Sequence, residues 1–228
     1  MFSFKRCSIL ILMAAIILPV VSAQISVDES YLIESIEIMI IRETARSTTR
    51  DQKLIALEYI GEALRRGNTS DEIRVTLDFL SNEGTRSVTR ENNRVVNNFP
   101  DIRRQAVKYL GQIGTEAARR SLIGVLEFED EPLVIQEAFK ALGDIGTNEN
   151  NQTAISIARA LNHFTATNPD QLMALAAVDA LEKIANKNSG ISSVEVILCL
   201  QRVSTETKYI TPIRERARRL LADLRTYR

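Results

Sequence analysis

Few residues of this chain have the chemistry that catalysis or metal binding requires. The sequence contains one histidine, His163, and two cysteines, Cys7 and Cys199. A single histidine excludes sites built from a histidine pair, such as the H-E-x-x-H zinc motif, and neither a G-x-S-x-G nor a P-loop pattern occurs. The sequence therefore predicts no catalytic, cofactor-binding or metal-binding residue, and we expect a protein that is not an enzyme.

The candidate base and nucleophile both have simpler explanations. His163 falls near the C-terminal end of a predicted helix, where a solvated imidazole is favoured by the helix dipole, and we prefer this interpretation to a ligand or general base. Cys199 falls among aliphatic residues in mid-helix, which raises the pKa of a thiol and disfavours a nucleophile. The acidic run Glu129-Asp130-Glu131 precedes Pro132 and is interpreted as a solvated turn.

The first 23 residues have the pattern of a secretory signal peptide. Lys5 and Arg6 precede an almost wholly apolar run, residues 7–21, and Ala23 ends a small-residue cleavage site. An uncleaved membrane anchor is the alternative, but the run is shorter than the roughly 20 apolar residues that span a bilayer, and Pro19 interrupts it. We expect cleavage after Ala23 and a periplasmic or secreted protein.

The charge balance bears on the kind of partner. Basic and acidic residues number 29 each, and losing Lys5 and Arg6 with the signal leaves a slightly acidic chain. A near-neutral exported protein has no electrostatic reason to bind nucleic acid. Cys199 is then the one cysteine left, so stability must come from packed helices instead of an intramolecular disulfide. No stable membrane span is expected after signal cleavage.

A repeated segment organises the rest of the chain. PDIRRQAVKYLGQIG begins at Pro100, and PLVIQEAFKALGDIG begins 32 residues later at Pro132. A fixed period of this size is typical of solenoid repeats. Proline suits the first turn of a helix, and the closing glycine suits a left-handed C-cap. The glycine inside each helix costs about 1 kcal/mol relative to alanine, and close approach of a neighbouring backbone is the expected compensation.

Alanine four residues before a large aliphatic residue marks these copies and three weaker ones. The five predicted units contain Ala56-Ile60-Ala63, Ala106-Leu110-Ile113, Ala138-Leu142-Ile145, Ala177-Leu181-Ile184 and Ala217-Leu221-Leu224. Residues 24–50 are predicted to form an N-terminal capping helix, and residues 51–228 the repeat domain. Residues 81–99 have little apolar periodicity, and we expect a long loop that is mobile in preference to functional.

Second helices are predicted between the anchor helices. In the helix over residues 151–164, Ala154, Ile157, Ala158 and Leu161 form one buried stripe. The helix over residues 192–203 differs, because it carries apolar residues on two sides. Such a helix is either buried on both sides or exposes an apolar patch for a partner, and Leu200 tests the second possibility.

The units resemble HEAT repeats, and most closely the short bacterial HEAT-like class of the HEAT/armadillo superfamily that also occurs in phycobilin lyases. The segment Ile102–Gly114 matches the signature I-R-R-x-A-x-x-x-L-G-x-I-G closely, and Val134–Gly146 matches it well. This resemblance implies an all-α fold, an α-α superhelix of about five helix pairs, whose second helices line the concave surface. Carried over to this chain, that partner-binding surface comprises Arg74, Asp78, Glu116, Arg120, Glu127, Gln152, Ser156, Arg159, His163, Glu195 and Arg202.

Two functional classes follow from these features. The first is a non-catalytic scaffold or adaptor of the cell envelope, which binds a protein or peptide on the concave face. The mixed charges of that face suit a polypeptide better than a polyanion, and this class is our prediction. The alternative is an accessory enzyme of the phycobilin lyase type. Export argues against the alternative, because bilin attachment is expected inside the cell.

Overall fold

The computed structural model describes residues 27–226, so the predicted signal peptide lies outside the described residues. The chain divides into two units, residues 1–36 and residues 37–228. The described part of the first unit, residues 27–36, is helical. No helix within residues 27–226 is both long enough and apolar enough to cross a membrane.

Ten α-helices and one short hairpin make up the described chain. Their bounds are α1 Val27–Arg46, α2 Arg50–Arg65, α3 Asp71–Ser81, β1 Arg90–Glu91, β2 Arg94–Val95, α4 Pro100–Ile113, α5 Glu116–Phe128, α6 Pro132–Ile145, α7 Gln152–Thr167, α8 Gln171–Lys187, α9 Val194–Thr205 and α10 Thr211–Thr226. A short 3₁₀ turn, Glu149–Asn151, precedes α7.

The helices of the second unit form two layers. One layer consists of helices α2, α4, α6, α8 and α10, which pack side by side in sequence order. The other layer consists of α3, α5, α7 and α9, which also pack side by side in sequence order. We call these the first helices and the second helices. This solenoid-like arrangement confirms the predicted all-α fold.

The anchor residues lie between the layers. Ala106, Leu110, Ala138 and Leu142 are completely buried, and of the predicted anchors only Ile145 and Leu221 are partly buried. Each of these buried side chains removes apolar surface from water, and this burial stabilises the stack. The expected C-caps are present, since Gly114 and Gly146 have φ angles of 66° and 70°.

The glycines inside the first helices allow close helix crossings. A Cβ atom at Gly111 would lie 2.7 Å from the Cβ of Ala141 on α6, and one at Gly143 would lie 2.8 Å from the Cα of Ala180 on α8. Both distances are shorter than carbon atoms tolerate. The propensity cost of these two glycines is therefore offset by helix packing, as the repeat pattern predicts.

The loop over residues 81–99 contains a short hairpin that the sequence did not predict, and the expected mobility of this loop stays a prediction. Strands β1 and β2 pair antiparallel through a tight turn in which Asn92 and Asn93 both have positive φ. The side-chain amide of Asn97 donates to the carbonyl of Ser87, and its oxygen accepts from the N–H of Thr89. Asparagine tolerates left-handed conformations, so local side-chain chemistry shapes this loop without apolar periodicity.

Two buried ion pairs join the first repeats. Arg103 donates to both carboxylate oxygens of Glu129, at 2.6 and 3.0 Å, and Lys53 Nζ lies 2.8 Å from Glu83 Oε2. All four side chains are almost fully buried. The interpretation of Glu129 as a solvated turn residue is therefore wrong. Its carboxylate is desolvated because the guanidinium of Arg103 on α4 reaches it across the repeat.

Candidate functional site

The predicted binding residues all lie on the second helices, and we call their solvent-facing side the second-helix face. Seven are exposed: Arg120, Glu127, Gln152, Arg159, His163, Glu195 and Arg202. Four are half-buried: Arg74, Asp78, Glu116 and Ser156. The helical periodicity explains this outcome, because each helix buries its apolar stripe between the layers and leaves the opposite side in solvent.

A buried arginine joins α5 to α7 beneath this face. Arg119 donates to Glu116 at 2.7 Å within α5, and it reaches Thr153 Oγ1 at 2.9 Å and Gln152 Oε1 at 3.3 Å on α7. The hydrogen bond from Arg119 lowers the pKa of Glu116 below its usual value, although burial opposes this shift. Glu116 and Gln152 are therefore held in position by Arg119.

Sequence reasoning missed Arg119. Its side chain follows the buried stripe of α5, and only its spacing of three residues from Glu116 signalled an ion pair. Such a pair on a helix surface is normally solvated and weak. Thr153 on α7 is what makes the burial possible, and its hydroxyl also donates to the carbonyl of Thr147.

Two further contacts join α7 to α9 across the face. Arg159 donates to Glu195 at 3.0 Å, and Arg202 donates to Asn162 Oδ1 at 3.2 Å. Arg159 and Glu195 are exposed, so this ion pair is screened by solvent and contributes little to stability. Both groups can therefore exchange their partner for a ligand at small cost.

On α3, Arg74 donates to Asp71 at 2.6 Å within the same helix. That hydrogen bond raises the pKa of Arg74 and lowers the pKa of Asp71. Asp78 lies one turn further along α3, where its carbonyl accepts from Ser81 and Asn82. The α3 end of the face is thus already engaged in local contacts.

The apolar side of α9 differs from the expectation. Leu200 is completely buried with Val196, Cys199 and Val203, whereas Val194 and Leu198 are 69% and 57% exposed. Leu200 is therefore a core residue and does not test a partner surface. The exposed apolar patch consists of Val194 and Leu198, because α10 packs on the other side of α9.

The described residues include one thiol, Cys199, and one imidazole, His163. Burial raises the pKa of the Cys199 thiol to about 12, so the thiol stays protonated at neutral pH. His163 is exposed and its ring packs edge-on against Phe164 at 5.4 Å. Within residues 27–226 no group of three or more His, Cys, Asp or Glu side chains is placed to hold a metal ion.

Comparison with known proteins identifies the repeat and the fold. A family model of HEAT repeats matches residues 94–182, which confirms the resemblance derived from the sequence. No curated protein matches the chain. Among solved structures, the chain is similar to the complex of CpcE and CpcF of phycocyanin lyase from Nostoc sp. PCC7120, with a TM-score of 0.55 and 18% identity. The match covers 83% of this chain and spans 66% of the length of that chain.

This similarity corrects one prediction. We expected a protein that is not an enzyme, but the similar solved structure is a complex of phycocyanin lyase. A scarcity of catalytic side chains does not by itself exclude an enzyme, because a subunit of an enzyme can act by binding and positioning while other groups carry the reacting atoms. At this level of identity the likeness establishes the fold alone.

Proposed function

We propose, on the premise that residues 94–182 are HEAT repeats, that this protein is an accessory subunit of a phycobilin-lyase-like enzyme and acts together with a second polypeptide. The observation that carries the proposal is the structural match to a phycocyanin lyase complex over 83% of the chain. That structure contains two kinds of subunit, which supports a protein partner for this chain.

The second-helix face has the properties that such a role needs. Its charges are mixed, with Arg120 and Arg159 exposed on neighbouring helices and Glu127 between them in sequence. A bilin carries carboxylate groups on an extended apolar body, and guanidinium groups bind carboxylates well. Arg159 gives up only a solvated ion pair with Glu195 when it binds such a group.

We propose a positioning role for this subunit in the lyase-like reaction. Cys199 is fully buried and its pKa is raised to about 12, so it does not supply a reactive thiol. A covalent step at a thiol would then use a thiol other than Cys199, and we propose that the partner polypeptide supplies it. The HEAT-repeat chain contributes by holding the bilin and the partner in a fixed relation.

A bilin titration tests the proposal. We expect a free bilin to show a shifted visible absorption band and induced circular dichroism when the protein is added. Arg120→Glu with Arg159→Glu should weaken binding, because both changes reverse a charge on the face. Arg219→Glu with Arg225→Glu is the matched control, since both arginines are exposed on α10. Absence of any spectral change with the unaltered protein contradicts the lyase-like function.

The same double reversal separates binding from folding. Exposed substitutions usually change stability by no more than about 0.5 kcal/mol, so the melting temperature should stay nearly constant. If both double variants lose the absorption change equally, then the effect follows total charge and the second-helix face is not the site.

We propose separately that the chain is exported; finding it outside the cell would count against the lyase-like function, because bilin attachment is expected inside the cell. The support is the basic start, the apolar run and the small residues before Gln24. N-terminal sequencing of protein from cell fractions should return Gln24 in the periplasm or medium. Met1 in the cell interior contradicts export and leaves the lyase-like function standing.

A further inference from the structure

Four glycines lie inside the described helices, and three of them have a packing reason. A Cβ atom at Gly61, Gly111 or Gly143 would collide with a residue of the next first helix. Gly124, inside α5, is the exception, because no atom of a neighbouring helix or loop within residues 27–226 lies within 4 Å of its Cβ position. Packing inside the described chain therefore does not explain this glycine.

The backbone of α5 gives no reason for Gly124 either. Gly124 is not among the glycines with a positive φ, so other residues could adopt its conformation. Glycine is a poorer helix former than alanine, so Gly124 lowers the stability of α5 without a gain in the described chain. A third reason for a glycine is a ligand that approaches the backbone closely, and such a ligand needs open space like that above Gly124.

The side of α5 around Gly124 belongs to the second-helix face. Arg120 and Phe128 lie four residues before and four residues after Gly124, so the three residues share one side of the helix. Arg120 is exposed, and Phe128 is 47% exposed. Arg86 of the hairpin loop lies over the Phe128 ring, 5.3 Å from its centre. The bare backbone therefore lies between an exposed cation and an exposed aromatic ring that carries a second cation.

The charges around Gly124 favour a ligand with carboxylate groups. Neither Arg86 nor Arg120 forms an ion pair with a carboxylate of residues 27–226. Glu127 is exposed on the same side of α5, and its charge opposes one of the two guanidinium charges. The net charge of the three groups is still positive. Guanidinium groups bind carboxylates through paired, charge-assisted hydrogen bonds.

Phe79 adds a second aromatic ring at the equivalent position of the neighbouring helix α3. Phe79 and Gly124 follow the N-caps of their helices, Ser70 and Thr115, by the same number of residues, and α3 and α5 pack beside each other. Phe79 is 38% exposed, and Lys53 Nζ lies 5.5 Å from the centre of its ring. Both helices therefore offer an aromatic surface on this part of the second-helix face, which suits a flat apolar ligand.

We propose that Gly124 marks the place where the flat body of a carboxylate-bearing tetrapyrrole lies against the backbone of α5. A carboxylate of the ligand pairs with Arg120, and a pyrrole ring packs against Phe128. These two residues lie about 12 Å apart along the helix axis, so an extended ligand reaches both and a small inorganic anion does not. The inference rests on the proposed function, and it makes Gly124 a specificity-determining residue of the same site.

Side chains of increasing size at Gly124 test the inference, with biliverdin as the probe. Gly124→Leu should raise the dissociation constant, measured from the visible absorption band, by about tenfold or more, and Gly124→Ala by a smaller factor. The reason is that the added side chain occupies the space of the ligand body. Ala222→Leu is the matched control, since Ala222 is exposed on α10, and it should leave the dissociation constant unchanged. Equal or tighter binding by Gly124→Leu overturns the inference.

Thermal unfolding separates lost binding from lost structure. Gly124→Ala should raise the melting temperature while it weakens binding, because alanine is the better helix former. A purely structural role for Gly124 predicts no such combination, and a variant that is more stable and binds equally well contradicts the inference.

A change of charge tests where the carboxylates of the ligand lie. Glu127→Gln should lower the dissociation constant for biliverdin, because it removes a carboxylate that repels those of the ligand. Unchanged or weaker binding by Glu127→Gln contradicts the placement beside Arg120. No spectral change with the unaltered protein contradicts the lyase-like function itself, whereas full binding by Gly124→Leu contradicts this inference alone.

Discussion

The first two repeats of the stack are joined by buried charges, whereas the next two repeats carry buried apolar residues at the same helix position. Three residues before the anchor alanine, α2, α4, α6 and α8 carry the buried residues Lys53, Arg103, Ile135 and Ala174, and α10 carries the half-buried Arg214. The fold therefore accepts either a cation with a matching glutamate or an apolar side chain at this point.

We call the buried ion pairs of Lys53 and Arg103 the charged joints, and the buried residues Ile135 and Ala174 at the same helix position the apolar joints. The charged joints also hold neighbouring loops in place, whereas the loops near the apolar joints are held by other contacts. Besides Glu129, Arg103 donates to the carbonyl of Glu83 at 3.2 Å and to Asn98 at 2.8 Å, so it holds both ends of the hairpin loop. Lys53 similarly donates to the carbonyl of Ala45 at the end of α1. Buried ion pairs cost desolvation energy, and here their directed hydrogen bonds select which segment docks.

The largest expected effect comes from breaking a charged joint. Glu129→Ala should destabilise the protein by about 3 to 5 kcal/mol, because it leaves the Arg103 guanidinium buried without its carboxylate. Urea denaturation measures the change. The double variant Arg103→Leu with Glu129→Leu is the control and should recover most of the loss, since it converts the joint to the apolar kind. A small cost for Glu129→Ala would show that the two kinds of joint are energetically alike.

The apolar joints should respond to lost volume. Leu142→Ala is expected to cost about 2 to 5 kcal/mol, because Leu142 is completely buried between the layers. Leu133→Ala on the same helix is the matched control, since Leu133 is half exposed, and its effect should stay within about 0.5 kcal/mol. Similar melting temperatures for the two variants would contradict the assignment of Leu142 as an anchor.

A methyl group added at a helix crossing should lower the free energy of unfolding, by less than the two changes above. Gly143→Ala should destabilise by about 1 to 3 kcal/mol, because the new Cβ meets Ala180 at 2.8 Å. Gly124→Ala on α5 should stabilise by about 1 kcal/mol, since nothing lies within 4 Å of its Cβ position and alanine is the better helix former. Thermal unfolding of both variants measures the difference. Equal shifts would mean that the crossing is not tight.

The smallest expected effects are changes of stability with pH. They have opposite signs for Glu116 on α5 and Asp179 on α8. The hydrogen bond from Arg119 lowers the pKa of Glu116, so its stabilisation is present above the ordinary carboxyl pKa and is lost as the pH falls through the lowered pKa. Burial raises the pKa of Asp179 more than Arg216, 2.8 Å away, lowers it. The contribution of Asp179 is therefore present below the ordinary pKa and lost as the pH rises through the raised pKa.

Melting temperatures across the acidic range test these signs. Glu116→Gln should lower the melting temperature at neutral pH and have less effect at acidic pH. Asp179→Asn should be less harmful at neutral pH than at acidic pH, because it removes a carboxylate whose ionisation is disfavoured. Parallel pH profiles for the two variants would show that the two carboxyl groups have similar environments.

Much of the fold and part of the candidate site could be predicted from the sequence. The anchors, the left-handed glycine caps and the exposure of Arg120, Arg159 and His163 follow from helical periodicity. Periodicity failed at α9, where two apolar stripes left the choice open, and packing buries Leu200 while it exposes Leu198. It also gave no account of the hairpin within residues 81–99, whose conformation depends on asparagine hydrogen bonds and on Arg103.

The sequence by itself determined the repeat, the layer to which each helix belongs and the small number of reactive side chains. These properties depend on residues within one or two helical turns of each other. The tertiary structure alone decided that Glu129 is buried against Arg103 and that Arg119 joins two second helices. Each of these outcomes depends on which segments meet across the stack, and a local pattern carries no information about a partner many residues away.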